Sequence, residues 1–250
     1  MHPLITLMTD FGTADGYVGE IKGVLLSQAP SATLVDITHD IAPQDVQHGR
    51  LTLARVWRHF PAGTVHLAVV DPGVGSTRSA LAVESDGSAF VGPDNGVLSP
   101  ALLVAGARAV SLPIPRGAAP TFHGRDVFAP AAAMLANGTP IEHLGSPAPL
   151  PIVLRTPEPE RQSDGTLVGE IIAIDRFGNA ITNLVPLREG VVEAGGASLH
   201  VATHYAAVER GESLAVVGSS GLIEIAVRDG SAAVRLGLRR GDRVALRARA

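Results

Sequence analysis

The stretch that decides the fold runs from Thr64 to Glu84, TVHLAVVDPGVGSTRSALAVE. Val65 to Val70 is an apolar run rich in β-branched residues, and it stops abruptly at Asp71. Such a run reads as a buried strand. The Asp-Pro-Gly-Val-Gly that ends it is a tight turn, because Pro72 fixes φ while Gly73 and Gly75 admit conformations closed to other residues. It is no phosphate loop, since the lysine and the glycine spacing of that motif are missing. A carboxylate held at the end of a buried strand, with Arg78 shortly beyond it, is the first candidate for chemistry.

Working outward, Leu4 to Met8 reads as a short buried strand that ends in Thr9-Asp10. Tyr17 to Gln28 carries Val18, Ile21, Val24 and Leu25 at helical spacing. ATLVDITHDI (32–41) is a second strand, and Asp45 to Phe60 has a second helical pattern. After Val65 to Val70, SALAVES and AFVGPDNGVL form a strand pair turning at Ser85-Asp86-Gly87. GRDVFAPAAAMLANG (124–138) reads as a helix closed by Asn137-Gly138, with Met134 as core packing. Strand and helix therefore alternate, the signature of an α/β domain.

Beyond that helix the text changes character. Five prolines fall between Pro147 and Pro159, and a polar ERQSDG follows. This divides the chain into an N-terminal α/β domain (1–147), a Pro-rich linker (148–165) and a C-terminal β domain (166–250). The last part reads as short alternating strands at LVGEIIAIDRFGNAITNL, SLHVATHYAAV, SLAVVGSSGLIEIAV and DRVALRARA, without a convincing helix.

Composition narrows the function. With 250 residues and 46% hydrophobic content the chain can bury a core unaided. It has no cysteine, which excludes disulfides, thiolate metal sites and cysteine nucleophiles. A net charge of −4 without a basic block gives no footprint for nucleic acid or an anionic membrane. No stretch approaches a membrane span or a signal peptide, so a cytoplasmic protein with a small-molecule partner is expected.

Asp10, Asp36 with Asp40, and Asp71 stand at or just past strand ends, where open α/β sheets bind ligands. Each alone is equally a turn or helix-cap aspartate. No G-x-S-x-G elbow, H-E-x-x-H or H-x-H pair is present. A metal would need scattered ligands from Asp10, His39, His48, Asp71 and His123. His123 is open to a capping, core or functional role.

The ordered motifs TDFGTADGYVGEIKGVL, DITHDIAPQDV, VVDPGVGSTR, FVGPDNGVLS, TFHGRDVFAPAAAMLA, IDRFGNAITNL and SSGLIEIAV resemble the S-adenosylmethionine hydroxide adenosyltransferase family, from Ile5 to about Ala233. The resemblance implies a three-layer α/β domain with a mostly parallel sheet and a smaller, barrel-like β domain. It implies a homotrimer with active sites shared between neighbouring subunits. The implied reaction is hydrolysis of S-adenosylmethionine to adenosine and methionine, with no metal and no cofactor, S-adenosylmethionine being the substrate. By the same resemblance Asp71, Arg78 and His123 handle the attacking water and Asp10 binds the ribose hydroxyls. Asp175 takes the methionine ammonium, Phe177 packs on adenine, Asn179 bonds its edge, and Ser219 contacts the amino-acid end. Gly218 and Ser220 depart from the pattern there.

Three alternatives stand beside this reading. Related halogenases perform the same displacement with halide, but as aligned they carry a tyrosine where Asp71 stands, and fluorinase a serine where Gly124 stands. A carboxylate repels an incoming anion, and Gly124 has no hydroxyl to bind one. A binding protein without turnover and a metal-dependent hydrolase are the others.

Overall fold

The computed structural model describes residues 2–186 and 190–248. It consists of two compact units that part between Arg155 and Thr156. The first contains strands β1 (Leu4–Thr9), β2 (Thr33–Thr38), β3 (Val65–Val69), β4 (Ala80–Ser85), β5 (Ser88–Pro93), β6 (Arg108–Leu112) and β7 (Ser146–Pro147). They form one sheet in the order β2-β1-β3-β5-β4-β6-β7. β1, β2, β3 and β5 are parallel, and β4 is antiparallel to β5 and β6.

Helices α1 (Tyr17–Gln28) and α4 (Ala129–Ala136) cover one face, where Ile21, Leu25 and Ala132 pack on Ile5, Leu7, Val65 and Leu67. Helices α2 (Val46–Val56) and α3 (Ser99–Leu102) cover the other, where Leu53 and Ala101 join Met8, Ala68, Val70 and Phe90. This is the expected three-layer α/β arrangement. It explains why Val65 to Val70 lacks polar alternation, since every residue of β3 is buried on a face covered by helices. Fully burying each large apolar side chain contributes about 1.5–3 kcal/mol.

Several local expectations change. The run 89–98 is a strand only to Pro93, because Asn95 and Gly96 turn the chain and Gly96 adopts φ +96°. The segment 124–138 is not one regular helix: Gly124–Phe128 is a π-turn, in which Ala129 N–H bonds Gly124 O, before α4 begins. Pro130 lacks the N–H that a continuous helix requires and crowds the preceding turn. Met134 is 42% exposed, because the alanines carry the buried face of α4, so its core role is withdrawn. α2 gives way at Val56 to a 3-10 turn, and its start is capped by Asp45, which accepts His48 N–H at 2.9 Å. β6 was not anticipated.

One buried group has a pH consequence. His66 on β3 is fully buried, stacked on Phe90 with ring centroids 4.8 Å apart, and its Nδ1 lies 2.8 Å from Thr6 Oγ1. Burial lowers its pKa from 6.5 to about 4. The unfolded chain therefore takes up this proton first, and stability is lost as pH falls from 6.5 towards 4, by roughly 3 kcal/mol in all. Denaturation midpoints measured across that window should decline, and His66→Phe should flatten the decline. An equally steep decline in the variant would refute the assignment.

The second unit contains β8 (Glu160–Arg161), β9 (Leu167–Ile174), β10 (Ala180–Thr182), β11 (Gly190–Ala194), β12 (Ala197–Ala202), β13 (Ser213–Val217), β14 (Ile223–Val227) and β15 (Arg243–Ala248). The order β10-β14-β13-β12-β11-β15-β9 closes through a β9–β10 pairing, giving a seven-stranded barrel with β8 appended to β9. Ile171, Val192, Leu199, Ile223, Ile225 and Leu246 belong to its core. The alternation along β14 puts Glu224 and Ala226 on the opposite face, where Ala226 joins Leu214, Val216 and Val208 in a small separate cluster. A short helix α5 (Ala232–Arg235), capped by Ser231, and strand β11 were not expected. Residues 249 and 250 of the anticipated last strand lie outside the described residues. Among the described residues no helix is long and apolar enough to cross a membrane.

Candidate active site

In the first unit the chain leaves β1 towards β2 on one side and β3 on the other, so the sheet reverses its order at the β1–β3 boundary. Ligands of open α/β sheets bind outside the carboxyl ends at that switch point. Thr9 is paired with Val69, which sets Asp10 and Val70–Asp71 at the adjoining ends.

Asp71 is held by Arg78. Arg78 Nε donates to Asp71 Oδ1 at 2.9 Å, and Nη2 donates to Oδ2, with the two side chains only 5% and 9% exposed. The fork matches the carboxylate's two oxygens, which fixes orientation as well as charge. Nη2 also donates to His123 Nδ1 at 3.0 Å. His123 is buried and makes no capping bond. Burial lowers its pKa, and the neighbouring Arg78 charge lowers it further. The structure therefore brings Asp71, Arg78 and His123 into one hydrogen-bonded chain, in that order.

The local sequence builds this chain. Asp71 O accepts Val74 N–H at 3.2 Å and Gly73 O accepts Ser76 N–H at 3.1 Å, two successive turns that return Arg78 to Asp71. Gly75 adopts φ +76°, and a Cβ there would stand 2.5 Å from Pro120 O. Only glycine lets the turn approach the segment that leads to His123. Phe128, fully buried, lies under the guanidinium with Cζ 5.2 Å from the ring centroid. The π-turn begins immediately after His123, and such turns recur at functional sites.

Asp10 accepts Gln44 N–H at 2.8 Å, supporting a residue with φ +68°. Asp36 is not a free rim carboxylate. Partial burial disfavours its ionisation, but Lys22, bonded at 2.6 Å, and His39, 3.2 Å away, outweigh this and hold its pKa below the ordinary value. His39 Nδ1 lies 2.8 Å from Thr9 Oγ1. Among the described residues no three His, Asp or Glu gather into a cation site.

In the second unit Asp175 organises the β9–β10 turn. Its Oδ1 accepts the N–H groups of Phe177 and Asn179 at 2.9 and 2.8 Å, and Oδ2 accepts Asn179 Nδ2 at 2.9 Å. Phe177 projects from that turn 76% exposed, while Asn179 is buried with its amide oriented by Asp175. Ser219 is exposed in the β13–β14 turn.

Sequence reasoning missed Asn95. Its Nδ2 donates to Val70 O at 2.8 Å and its Oδ1 accepts Val97 N–H at 3.1 Å, pinning the backbone immediately before Asp71. The Pro-Asp-Asn-Gly after β5 was the available signal, since it is turn chemistry rather than strand.

A three-layer α/β domain and a closed β-barrel, with a buried acid–guanidinium–imidazole chain at the end of a parallel strand, define the class. The protein belongs to the SAM hydroxide adenosyltransferase family, whose N-terminal domain matches residues 5–145 and whose C-terminal domain matches residues 169–245. It is 42% identical to the (R)-S-adenosyl-L-methionine hydrolase of Thermus thermophilus, over 98% of this chain and all of that protein. A fluorinase of Nocardia brasiliensis is 33% identical over 73% of this chain and 71% of its own length. A crystal structure of an uncharacterised conserved protein from Thermotoga maritima superposes with a TM-score of 0.89 at 34% identity, covering 98% of this chain and all of that one.

Proposed function

We propose that the protein hydrolyses S-adenosyl-L-methionine to adenosine and L-methionine by in-line attack of water on ribose C5′. The observation that carries this is the Asp71–Arg78–His123 chain, in a family whose named relatives include hydrolases of that substrate. The sulfonium is a cationic leaving group that departs as a neutral thioether, so neither a general acid nor a metal is needed at sulfur. The protein's task is to place water behind C5′ and receive its proton.

The hydrogen bonds support one acceptor for that proton. Arg78 is always charged and only donates. His123 Nδ1 faces a guanidinium N–H, so in the neutral ring the lone pair lies on Nδ1 and the proton on Nε2. That ring orients rather than accepts. Asp71 is the member with acceptor capacity left, since each carboxylate oxygen has two lone pairs. Water with a pKa near 15.7 is not ionised in advance; its proton becomes acidic as the C–O bond forms, and Asp71 takes it then.

A protonated His123 has no lone pair for Arg78, so acid should disconnect the chain. Because the imidazole pKa is lowered, the acid limb of kcat/KM should lie below 6.5. A limb at or above that value would contradict the assignment.

Asp10 is the ribose ligand in this reading, and Asp175, Phe177, Asn179 and Ser219 receive the methionine ammonium, adenine face, adenine edge and amino-acid end. The chain works in the cytoplasm as a homotrimer with sites shared between neighbouring subunits. Residues 148–165 link the α/β domain (1–147) to the β domain (166–250). Halide is the second nucleophile that the fluorinase relative raises; the Asp71 carboxylate and the absent hydroxyl at Gly124 favour water.

Incubation with S-adenosylmethionine in 18O-labelled water tests the proposal. Adenosine labelled at the 5′-hydroxyl is expected, with or without added halide. A 5′-halo product would favour the halogenase, binding without product a non-catalytic receptor, and unlabelled adenosine would exclude attack on carbon.

A further inference from the structure

On the outer side of the barrel, Glu224 of β14 is a carboxylate that no cation among the described residues serves. It is 6% exposed, and its Oε2 accepts the Tyr205 hydroxyl at 3.0 Å. Among the described residues Oε1 accepts no hydrogen bond, and neither oxygen is paired with Lys, Arg or His. Oε1 keeps an opening to solvent, and an otherwise enclosed carboxylate with one open oxygen is placed to receive a group of opposite charge. The two neighbouring features that hold it in place make no such contribution. Tyr205 gives one neutral donor, and burial together with the nearby Glu224 and Asp175 carboxylates raises its phenol pKa.

Gly218 supplies the second feature. An added Cβ there would lie 1.9 Å from Glu224 Oε1, so the unbonded oxygen occupies space that any other residue would fill. Gly218 has no left-handed φ, and a side chain there would have to push the Glu224 carboxylate aside. The free oxygen is thereby set against the turn that carries Ser219.

We propose that Glu224, oriented by Tyr205 and admitted by Gly218, is a specificity-determining carboxylate that takes the α-ammonium of the substrate's amino-acid end. This rests on the hydrolase reading above and deepens it. The departure at Gly218 then has a purpose, since the loss of one side chain opens the turn to another. Glu224 acts with Asp175 as a two-carboxylate counter-charge, and its preference is for a cation rather than for the methionine carboxylate.

The test measures both calorimetric affinity and turnover, with S-adenosylmethionine and with its des-amino analogue, in which hydrogen replaces the α-amine. For Glu224→Gln, Kd and KM for S-adenosylmethionine should rise about tenfold or more, the scale of a lost charge-assisted bond, with kcat much less affected. For the analogue, wild type and variant should be alike. Gly218→Ala, which displaces the carboxylate without removing it, should reproduce the effect, and Tyr205→Phe should give a smaller one. Equal losses on both substrates, or none on either, would overturn the proposal. Should Glu224→Gln fail to fold, the Gly218→Ala comparison decides alone. If wild type binds S-adenosylmethionine but forms no adenosine, the hydrolase reading falls while the affinity comparison still judges Glu224. If wild type does not bind it at all, both fall.

Discussion

Replacing Asp71 with asparagine is expected to lower kcat by about a hundredfold or more, the usual scale for removing a positioned proton-handling group, while KM changes much less. Asparagine keeps the shape and one acceptor, so Arg78 Nε retains a partner. Its amide nitrogen, however, faces Arg78 Nη2, a donor against a donor, where the carboxylate accepted. More importantly, an amide cannot receive the proton released as water bonds to carbon. His123 does not substitute for it, because its lone pair is already engaged by the same guanidinium. Steady-state production of adenosine, followed by chromatography, separates the two constants. A kcat within about threefold of wild type would show that water needs no base here, leaving positioning as the whole of catalysis. A rise in KM with kcat intact would instead move Asp71 into substrate binding.

Much of this site was legible because its parts are local. Asp71 announces itself as a polar residue ending an apolar run, and Gly75 as a residue whose backbone a side chain could not share. Their meeting with His123 was not readable from periodicity; it came from the family resemblance, and the structure supplies the contact through Pro120. What escaped were features set by tertiary context. Pro130 breaks a pattern that the alanines around it otherwise support, so the π-turn after His123 read as helix. Met134 is apolar on a helix, yet it lies away from the buried alanines, and composition cannot show which side faces inward. Asn95 lies in a turn whose sequence pattern reads as strand, and its action is on Val70, distant in sequence. Asp36 is equivalent to Asp10 and Asp71 in sequence, but Lys22 on the preceding helix occupies it. Glu224 sits in an alternating strand at a position that ordinarily faces solvent, and only the loop carrying Tyr205 reveals that it is enclosed.

Arg78→Met should cost more stability than Asp71→Asn, although both remove one half of the same ion pair. Methionine leaves a carboxylate whose side chain is 5% exposed without its counter-charge, and the loss of one partner from a buried pair costs about 3–5 kcal/mol. Asparagine leaves the guanidinium without its carboxylate, but Arg78 keeps the His123 nitrogen, the Ser79 carbonyl and the Phe128 ring. The double variant Asp71→Asn/Arg78→Met removes both charges and should recover much of the single Arg78→Met deficit. The double variant would then lose less than the sum of the two single losses, which gives a nonzero coupling between the sites. Thermal midpoints of the four proteins measure this cycle directly. Activity obeys a different rule: Arg78→Lys keeps the charge, but a single ammonium cannot span both carboxylate oxygens and His123 Nδ1. Its kcat should fall towards that of Arg78→Met even where its stability does not. Additive losses in the cycle, each below about 1 kcal/mol, would mean that water screens the pair as it does a surface salt bridge. The guanidinium would then be dispensable for holding the carboxylate, and the ordered chain from Asp71 to His123 would lose its physical basis.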